Sequence, residues 1–536
     1  MYFTLGVSAR TPEACAALTE RALAVDPSVM PMPGPAAVAW RSADGRAALL
    51  HWGGPGGPGG NTGVSRAGTI WAGTEEARDG RAPVVARTSV TRVDPVYLAE
   101  PPGAAIVADR ATWAAWTASR LGDHDPLHVC ALLGPGFPLG SVTPFAGVSA
   151  VAPATTLHLL DGAVTRAAAG RPRESAAGAR GVAEALTAAV APLRDAGSPV
   201  ELSLTGGKDS RLVAAALVRA GVPVVARTHG FDDHPDVVVA AEIARRLGIE
   251  HVVRTPAAPG QRVDVLGRIR ATVLVADGML SAFENVGRPD PAAAPALTAG
   301  GHGGELLRGG YAETAGRGAA PGGLRRVLSP ARRAARSAEL LRRLTTKHLG
   351  LARRGPAAAY AASLASWTPS LARHPLQALD DFYLVNRAGR WSAAARQAYL
   401  LRERLAQPLF DDRVVRAARA VPLADRVSGA LCAAVLAELS PVLAGVPLAG
   451  KPPAGAAPFD WRRQYGEAVT TFLRGYVLDL GLAGGLFDVV SLPAAEKLLT
   501  PPHADRATVW ALATAACLFS GDYRNAREPS AQLAVS

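Results

Sequence analysis

The chain has 536 residues, with 57 Lys+Arg against 45 Asp+Glu and a formal net charge of +12. A hydrophobic share of 49% and a mean hydropathy of +0.13 exclude a disordered chain, and the length is expected to fill two domains with a core each. Cys15, Cys130, Cys432 and Cys517 lie far apart without paired spacing, which excludes a zinc cluster and a disulfide framework.

Residues 1–165 read as short strands broken by turns, at 37–40, 47–52, 69–72, 84–87, 105–108 and 156–160. Gly54, Gly56 and Gly59 spell a literal G-x-G-x-x-G, but prolines fill the gaps and Asn61-Thr62-Gly63 opens no helix. The segment is therefore expected to be a mobile loop and not a dinucleotide site. Residues 171–196 read as linker then helix. Apolar strands at 200–204, 222–228, 251–254 and 295–299 then alternate with helices, which predicts a parallel sheet covered on both faces. From about 355 onward the pattern is mainly helical. No run of about 18 uncharged apolar residues occurs and no basic stretch precedes a short apolar one at the start, so a cytoplasmic protein is expected.

The richest stretch is Leu202 to Ser210, where an apolar strand runs into Leu204-Thr205-Gly206-Gly207-Lys208-Asp209-Ser210 and then an apolar helical pattern. Glycines let a backbone approach a ligand closely, and the first N–H groups of a helix point into such a turn, so it suits phosphate. A carboxylate there repels phosphate unless a cation sits between them, so Asp209 points to Mg2+. Lys208 is followed by Asp209 and Leu202 stands five before Gly207, which rules out a Walker A loop. The second stretch is Gly301-His302-Gly303-Gly304-Glu305-Leu306-Leu307-Arg308-Gly309-Gly310-Tyr311, after the apolar run 295–299.

The first loop resembles the Ser-Gly-Gly-x-Asp-Ser pyrophosphate loop of ATP pyrophosphatases, with Thr205 keeping the hydroxyl. The second resembles the Gly-Glu-Gly-Ser-Asp-Glu-x-x-Gly-Gly-Tyr segment of asparagine synthetases, with the glycines in register. Pro408-Leu409-Phe410-Asp411-Asp412 is similar to that family's Pro-Phe-Leu-Asp stretch. Leu439-Ser440-Pro441 followed by Gly450-Lys451-Pro452 is similar to its Leu-Pro…Arg-Lys segment. The resemblance covers residues 175–520 and extends to β-lactam synthetases and lasso peptide cyclases. It implies an α/β plus α+β protein. Residues 1–165 would be a degenerate glutaminase-like (Ntn-type) antiparallel sandwich. Residues 166–536 would be a parallel-sheet pyrophosphate-loop ATPase domain with a helical extension.

The resemblance further implies ATP bound by Leu204, Thr205, Gly206, Gly207, Lys208, Asp209, Ser210, Gly301 and Gly303, Mg2+ held by Asp209 and Glu305, and a catalytic Lys451. His302 stands where relatives have Glu or a tyrosine base. An imidazole with pKa near 6.5 suits a proton acceptor, or it hydrogen-bonds phosphate or backbone. An acidic partner for it would come from Asp380, Asp381 or Glu403. The start Met1-Tyr2-Phe3 lacks the Met-Cys of the glutamine-hydrolysing members, and a phenol of pKa about 10 is no substitute for a thiol.

The expectation is amide formation through an acyl-adenylate, releasing AMP and pyrophosphate, with an amine of the substrate itself as in lasso peptide cyclases. Alternatives are an ammonia-using asparagine synthetase and an inactive peptide-binding homologue. Eleven Lys/Arg between residues 316 and 354, against Glu339 alone, mark either a solvated helical face or a surface for an acidic peptide or carrier. No nucleic-acid module accompanies them, and neither nucleic acid nor membrane is expected as a partner.

Overall fold

A computed structural model describes residues 3–31, 36–52, 69–73, 81–168, 178–255, 262–284, 296–316, 330–400, 404–450, 465–500, 506–526, 528 and 532–534. The 53–60 glycine-proline segment, Glu403 and Lys451 lie outside them.

The amino-terminal part opens with β1 (Phe3–Ala9), α1 (Pro12–Leu23), β2 (Ala36–Arg41), β3 (Ala47–Trp52), β4 (Thr69–Ala72), β5 (Val84–Arg87), β6 (Tyr97–Ala99) and β7 (Ala104–Ala108). Helices α2 (Ala111–Thr117) and α3 (Pro126–Leu133) follow, then β8 (Val148–Ala150), β9 (Thr155–Leu160) and β10 (Ala163–Ala168). Two antiparallel sheets form, in the orders β2-β3-β1-β7-β6-β8 and β10-β9-β5-β4. Alternate residues of each strand, among them Leu49, Val84, Ala86, Leu98, Val107, Leu157 and Leu159, fill the space between the sheets. The six strand segments expected from the sequence all form, and β1, β6, β8 and β10 join them.

The next part is doubly wound. It runs α4 (Ala179–Val190), β11 (Val200–Ser203), α5 (Lys208–Arg219), β12 (Val224–His229), α6 (Pro235–Leu247) and β13 (Glu250–Arg254). After β14 (Arg262–Val263) and α7 (Val265–Val275) comes β15 (Leu297–Gly300). Together with β16 (Arg404–Ala406) these strands make a parallel sheet ordered β13-β12-β11-β15-β16. The chain leaves β11 toward β12 on one side and returns as β15 on the other. The strand order therefore reverses between β11 and β15, where a crevice opens at the carboxyl ends of the strands.

Helices α8 (Tyr311–Gly316), α9 (Pro330–Thr345), α10 (Arg354–Ala365), α11 (Thr368–Arg373) and α12 (Pro375–Phe382) follow. A π-helix at Tyr383–Ser392 then leads into α13 (Ala393–Leu400). Beyond β16 come α14 (Asp412–Arg419), α15 (Leu423–Val427), α16 (Ala430–Leu439), α17 (Glu467–Ala483), α18 (Leu492–Leu499), α19 (Arg506–Ser520) and β17 (Leu533–Ala534), which pairs with β14. The carboxyl-terminal helices share one core with the outer face of the first sheet and with α2: Trp510, Leu512 and Val477 join Leu5, Val7 and Trp113. The parallel sheet has a separate core built on Leu202, Leu204, Val213 and Leu217. No helix among the described residues is long and apolar enough to cross a membrane.

Candidate functional site

β11 ends at Ser203 and α5 starts at Lys208, so residues 204–207 make the turn that the sequence predicts. Short hydroxyl contacts close it. The Thr205 N–H donates to Ser210 Oγ at 3.1 Å, and the Gly207 N–H donates to Thr205 Oγ1 at 3.2 Å. Asp236, in the first turn of α6, accepts the Gly206 N–H at 2.9 Å. No side chain caps α5, which leaves its first-turn N–H groups open toward the crevice. The Lys208 ammonium lies 3.8 Å from where a Cβ at Gly429 would stand.

The second glycine loop meets the first. A Cβ on Gly301 would lie 2.5 Å from Ser210 N, and one on Gly304 would collide with the Asp209 carboxyl. Gly303 has φ +95°, with the Phe410 ring 2.9 Å from the position of a Cβ, so glycine is required there twice over. Arg308, in the short 3-10 turn after Gly303, pairs with Asp209 and, at 3.0 Å, with Glu313. Burial pushes the Asp209 carboxyl up from its ordinary value. The Arg308 guanidinium opposes that and the negative charge of Glu305 adds to it. The two carboxylates expected to share Mg2+ thus repel one another across one crevice, the condition a divalent cation relieves. Among the described residues no group of three or more His, Cys, Asp or Glu is arranged to hold a metal ion.

Arg211, on α5 and 3% exposed, clasps a third segment to the loop. Its guanidinium donates to the carbonyls of Gly207 (3.1 Å), Gly206 (3.0 Å), Val446 (2.8 Å) and Pro447 (3.0 Å), and the Ala449 N–H donates to the Gly206 carbonyl at 3.1 Å. Residues 446–449 therefore run along the phosphate turn, and Lys451 follows two residues later. Nothing in the 202–210 motif announces Arg211. Its signal is a charged residue in the apolar face of α5, between Ser210 and Leu212.

The outer half of the crevice is made of side chains. Glu305 hydrogen-bonds Tyr383, whose phenol is pushed well up, first by burial and then by the Glu305 charge. Tyr383 packs edge-on against Tyr311, with ring centroids 5.1 Å apart. Arg387, four residues on in the π-helix, lies 3.5 Å over the Trp391 ring and 5.6 Å from the Phe137 ring of the amino-terminal part. His302 is exposed at the mouth, yet protein surrounds its ring at longer range. That desolvation lowers its pKa below the usual 6.5, Glu305 opposes the shift, and the Arg387 charge reinforces it. π-Helical turns are rare and cluster at functional sites.

Two expected acids are placed elsewhere. Asp380 is fully buried against Arg426 (2.7 Å) and Arg419 (2.9 Å), and Asp381 pairs with the same Arg419. Both carboxylates are held by arginines, and it is Glu305 that acts electrostatically on His302. Cys15 lies buried in α1 with its thiol pushed up by burial, and burial pushes Cys130 up to about 12.

A family model described as asparagine synthase matches residues 181–436, the span that holds both glycine loops and all five strands of the parallel sheet. No curated protein matches the chain. The chain thus carries a domain of the asparagine synthase family, an ATP-using family of amide-forming ligases, and is asparagine synthetase-like over that span.

Proposed function

We propose that the protein activates a substrate carboxylate as an acyl-adenylate and joins it to an amine that the substrate already carries. The observation that supports this most is the meeting of the two glycine turns, with Gly304 against Asp209 and Gly301 against Ser210. The open N–H groups at the start of α5 would hold the β and γ phosphates. The carboxylate would attack the α phosphorus in line, forming the acyl–phosphate bond and releasing pyrophosphate. Asp209 and Glu305 would hold Mg2+, which when bound offsets the charge that builds on the departing pyrophosphate. Lys451, two residues along the chain from the segment that Arg211 fastens, would add positive charge at the acyl or phosphoryl oxygens. The amine would then attack the acyl carbon with neutral His302 taking its proton and AMP leaving.

Two further points favour an internal amine over glutamine. Both cysteines of the amino-terminal part are buried with raised thiol pKa values, so neither is a ready nucleophile. The two-sheet sandwich reads as a glutaminase-like unit kept for its packing against the carboxyl-terminal helices. The exposed basic residues of α9, where Arg342 and Arg343 share Glu339, would dock an acidic peptide or carrier.

The test is mass spectrometry of the protein with ATP, Mg2+ and candidate peptides. AMP together with a product lighter by one water supports the reading. Asparagine formed from aspartate and ammonium would assign external ammonia instead. ADP as the nucleotide product would overturn the adenylate.

A further inference from the structure

Away from the crevice, between the first sheet and the π-helix, three arginines are buried: Arg92 (1% exposed), Arg110 (0%) and Arg390 (1%). Arg110 is matched. Its Nε lies 2.9 Å from Asp277 Oδ2, and Asp277 also accepts the Ala111 N–H at 3.0 Å and the Thr112 hydroxyl at 2.8 Å. Asp109 adds a second negative charge near Arg110. Arg92 and Arg390 have no such partner among the described residues. Arg92 donates to the carbonyls of Val151 (3.1 Å) and Val385 (3.0 Å), and Arg390 to that of Val142, to the neutral Tyr97 hydroxyl and weakly to the Met279 sulfur, none of them a carboxylate. Among the described residues, Arg92 Nε, Arg390 Nε and NH1, and Arg110 NH1 meet no acceptor.

All three cations surround Tyr97, whose buried phenol is pushed up to about 12 and is therefore neutral at pH 7. Arginine does not deprotonate in proteins. Three positive charges against Asp277 and Asp109 leave one in excess, in a place where an isolated charge is costly. The backbone is under tension at the same spot, for Arg92 and Asp277 hold φ values of +56° and +52°.

We infer that this junction binds one small monovalent inorganic anion of chloride's size, held by the free N–H groups of Arg92 and Arg390. Such an ion would fasten the π-helix that carries Tyr383 and Arg387 to the segment between β5 and β6.

The test titrates chloride into the protein in gluconate, an anion too large for the site, at constant ionic strength. The melting temperature of the wild type is expected to rise saturably, by about 2 °C or more. Arg390→Met, close in volume, is expected to remove that response and to melt above the wild type in gluconate, because it deletes the unmatched charge. A crystal grown in bromide should show an anomalous peak between Arg92 and Arg390. Should the variant fail to fold, the wild-type titration and the bromide peak decide. A melting temperature indifferent to chloride, or a bromide-grown crystal without the peak, overturns the site.

Discussion

The two halves of the crevice are built on different principles. The inner half is backbone: open N–H groups at the start of α5, and glycines whose missing Cβ atoms let Gly301 and Gly304 touch Ser210 and Asp209. The outer half is side chain: His302 and Glu305 from one loop, Tyr383 and Arg387 from a π-helix, and Phe137 from the amino-terminal part. On the proposed function, the backbone cradle would recognise what every ATP shares. A side-chain pocket gathered from distant segments can vary with the substrate while the cradle stays fixed.

The sharpest way to break this division is at Asp209. Asp209→Ala is expected to lower ATP–pyrophosphate exchange at least about 100-fold, near the roughly 3 kcal/mol typical of a lost charge stabiliser, with an unchanged circular dichroism spectrum. Exchange at the normal rate would remove the metal from the inner half. Arg211→Met comes next. It strips donors from the Val446 and Pro447 carbonyls, at about 1–3 kcal/mol for the groups left unpaired. Affinity for a non-hydrolysable ATP analogue should fall about tenfold, and amide exchange across residues 444–450 should quicken while α17 and α19 stay protected. Uniform loss of protection would mean a folding defect and no specific clasp.

The same division explains what was legible in the sequence. Glycine turns betray themselves, because a close backbone approach admits few other residues, and so both loops and the parallel sheet were readable. Strands of the sandwich were readable where turns bracket apolar runs. β1, although almost wholly buried as Phe3–Ala9, was missed because Gly6 and Ser8 interrupt its pattern. Arg308, Arg211 and Tyr383 were not legible, since their meaning lies in partners reached only through folding: Asp209 is 99 residues from Arg308, and Val446 is 235 from Arg211. Asp380 and Asp381 misled for the same reason, as nothing nearby in the chain foretells Arg419 and Arg426.

Two histidines sharpen the contrast between a core and a site, because burial lowers both. His128 is fully buried in α3, its Nε2 lying 3.0 Å from the Gly278 carbonyl oxygen, and its pKa falls to about 3. It is neutral in the fold, whereas the unfolded chain would protonate it below about 6.5. Its stabilising effect is therefore complete above pH 6.5 and fades as pH falls toward 3, by about 2 kcal/mol at pH 5. Denaturant midpoints should show this loss in the wild type and less of it in His128→Gln.

His302 should act on rate and leave stability almost untouched, as it lies at the mouth of the crevice. Its neutral form is the one that accepts a proton, and its pKa is lowered, so product formation should hold down past pH 6.5 and fall only below it. His302→Asn should erase that acid limb and slow amide formation about tenfold. This is less than the usual range for a general base, because the acyl-adenylate is already activated. Adenylate formation, measured as pyrophosphate exchange, should be unchanged. If exchange fell in step with product, His302 would belong to the inner half, contacting phosphate, and the line between cradle and pocket would have to be drawn one residue further out.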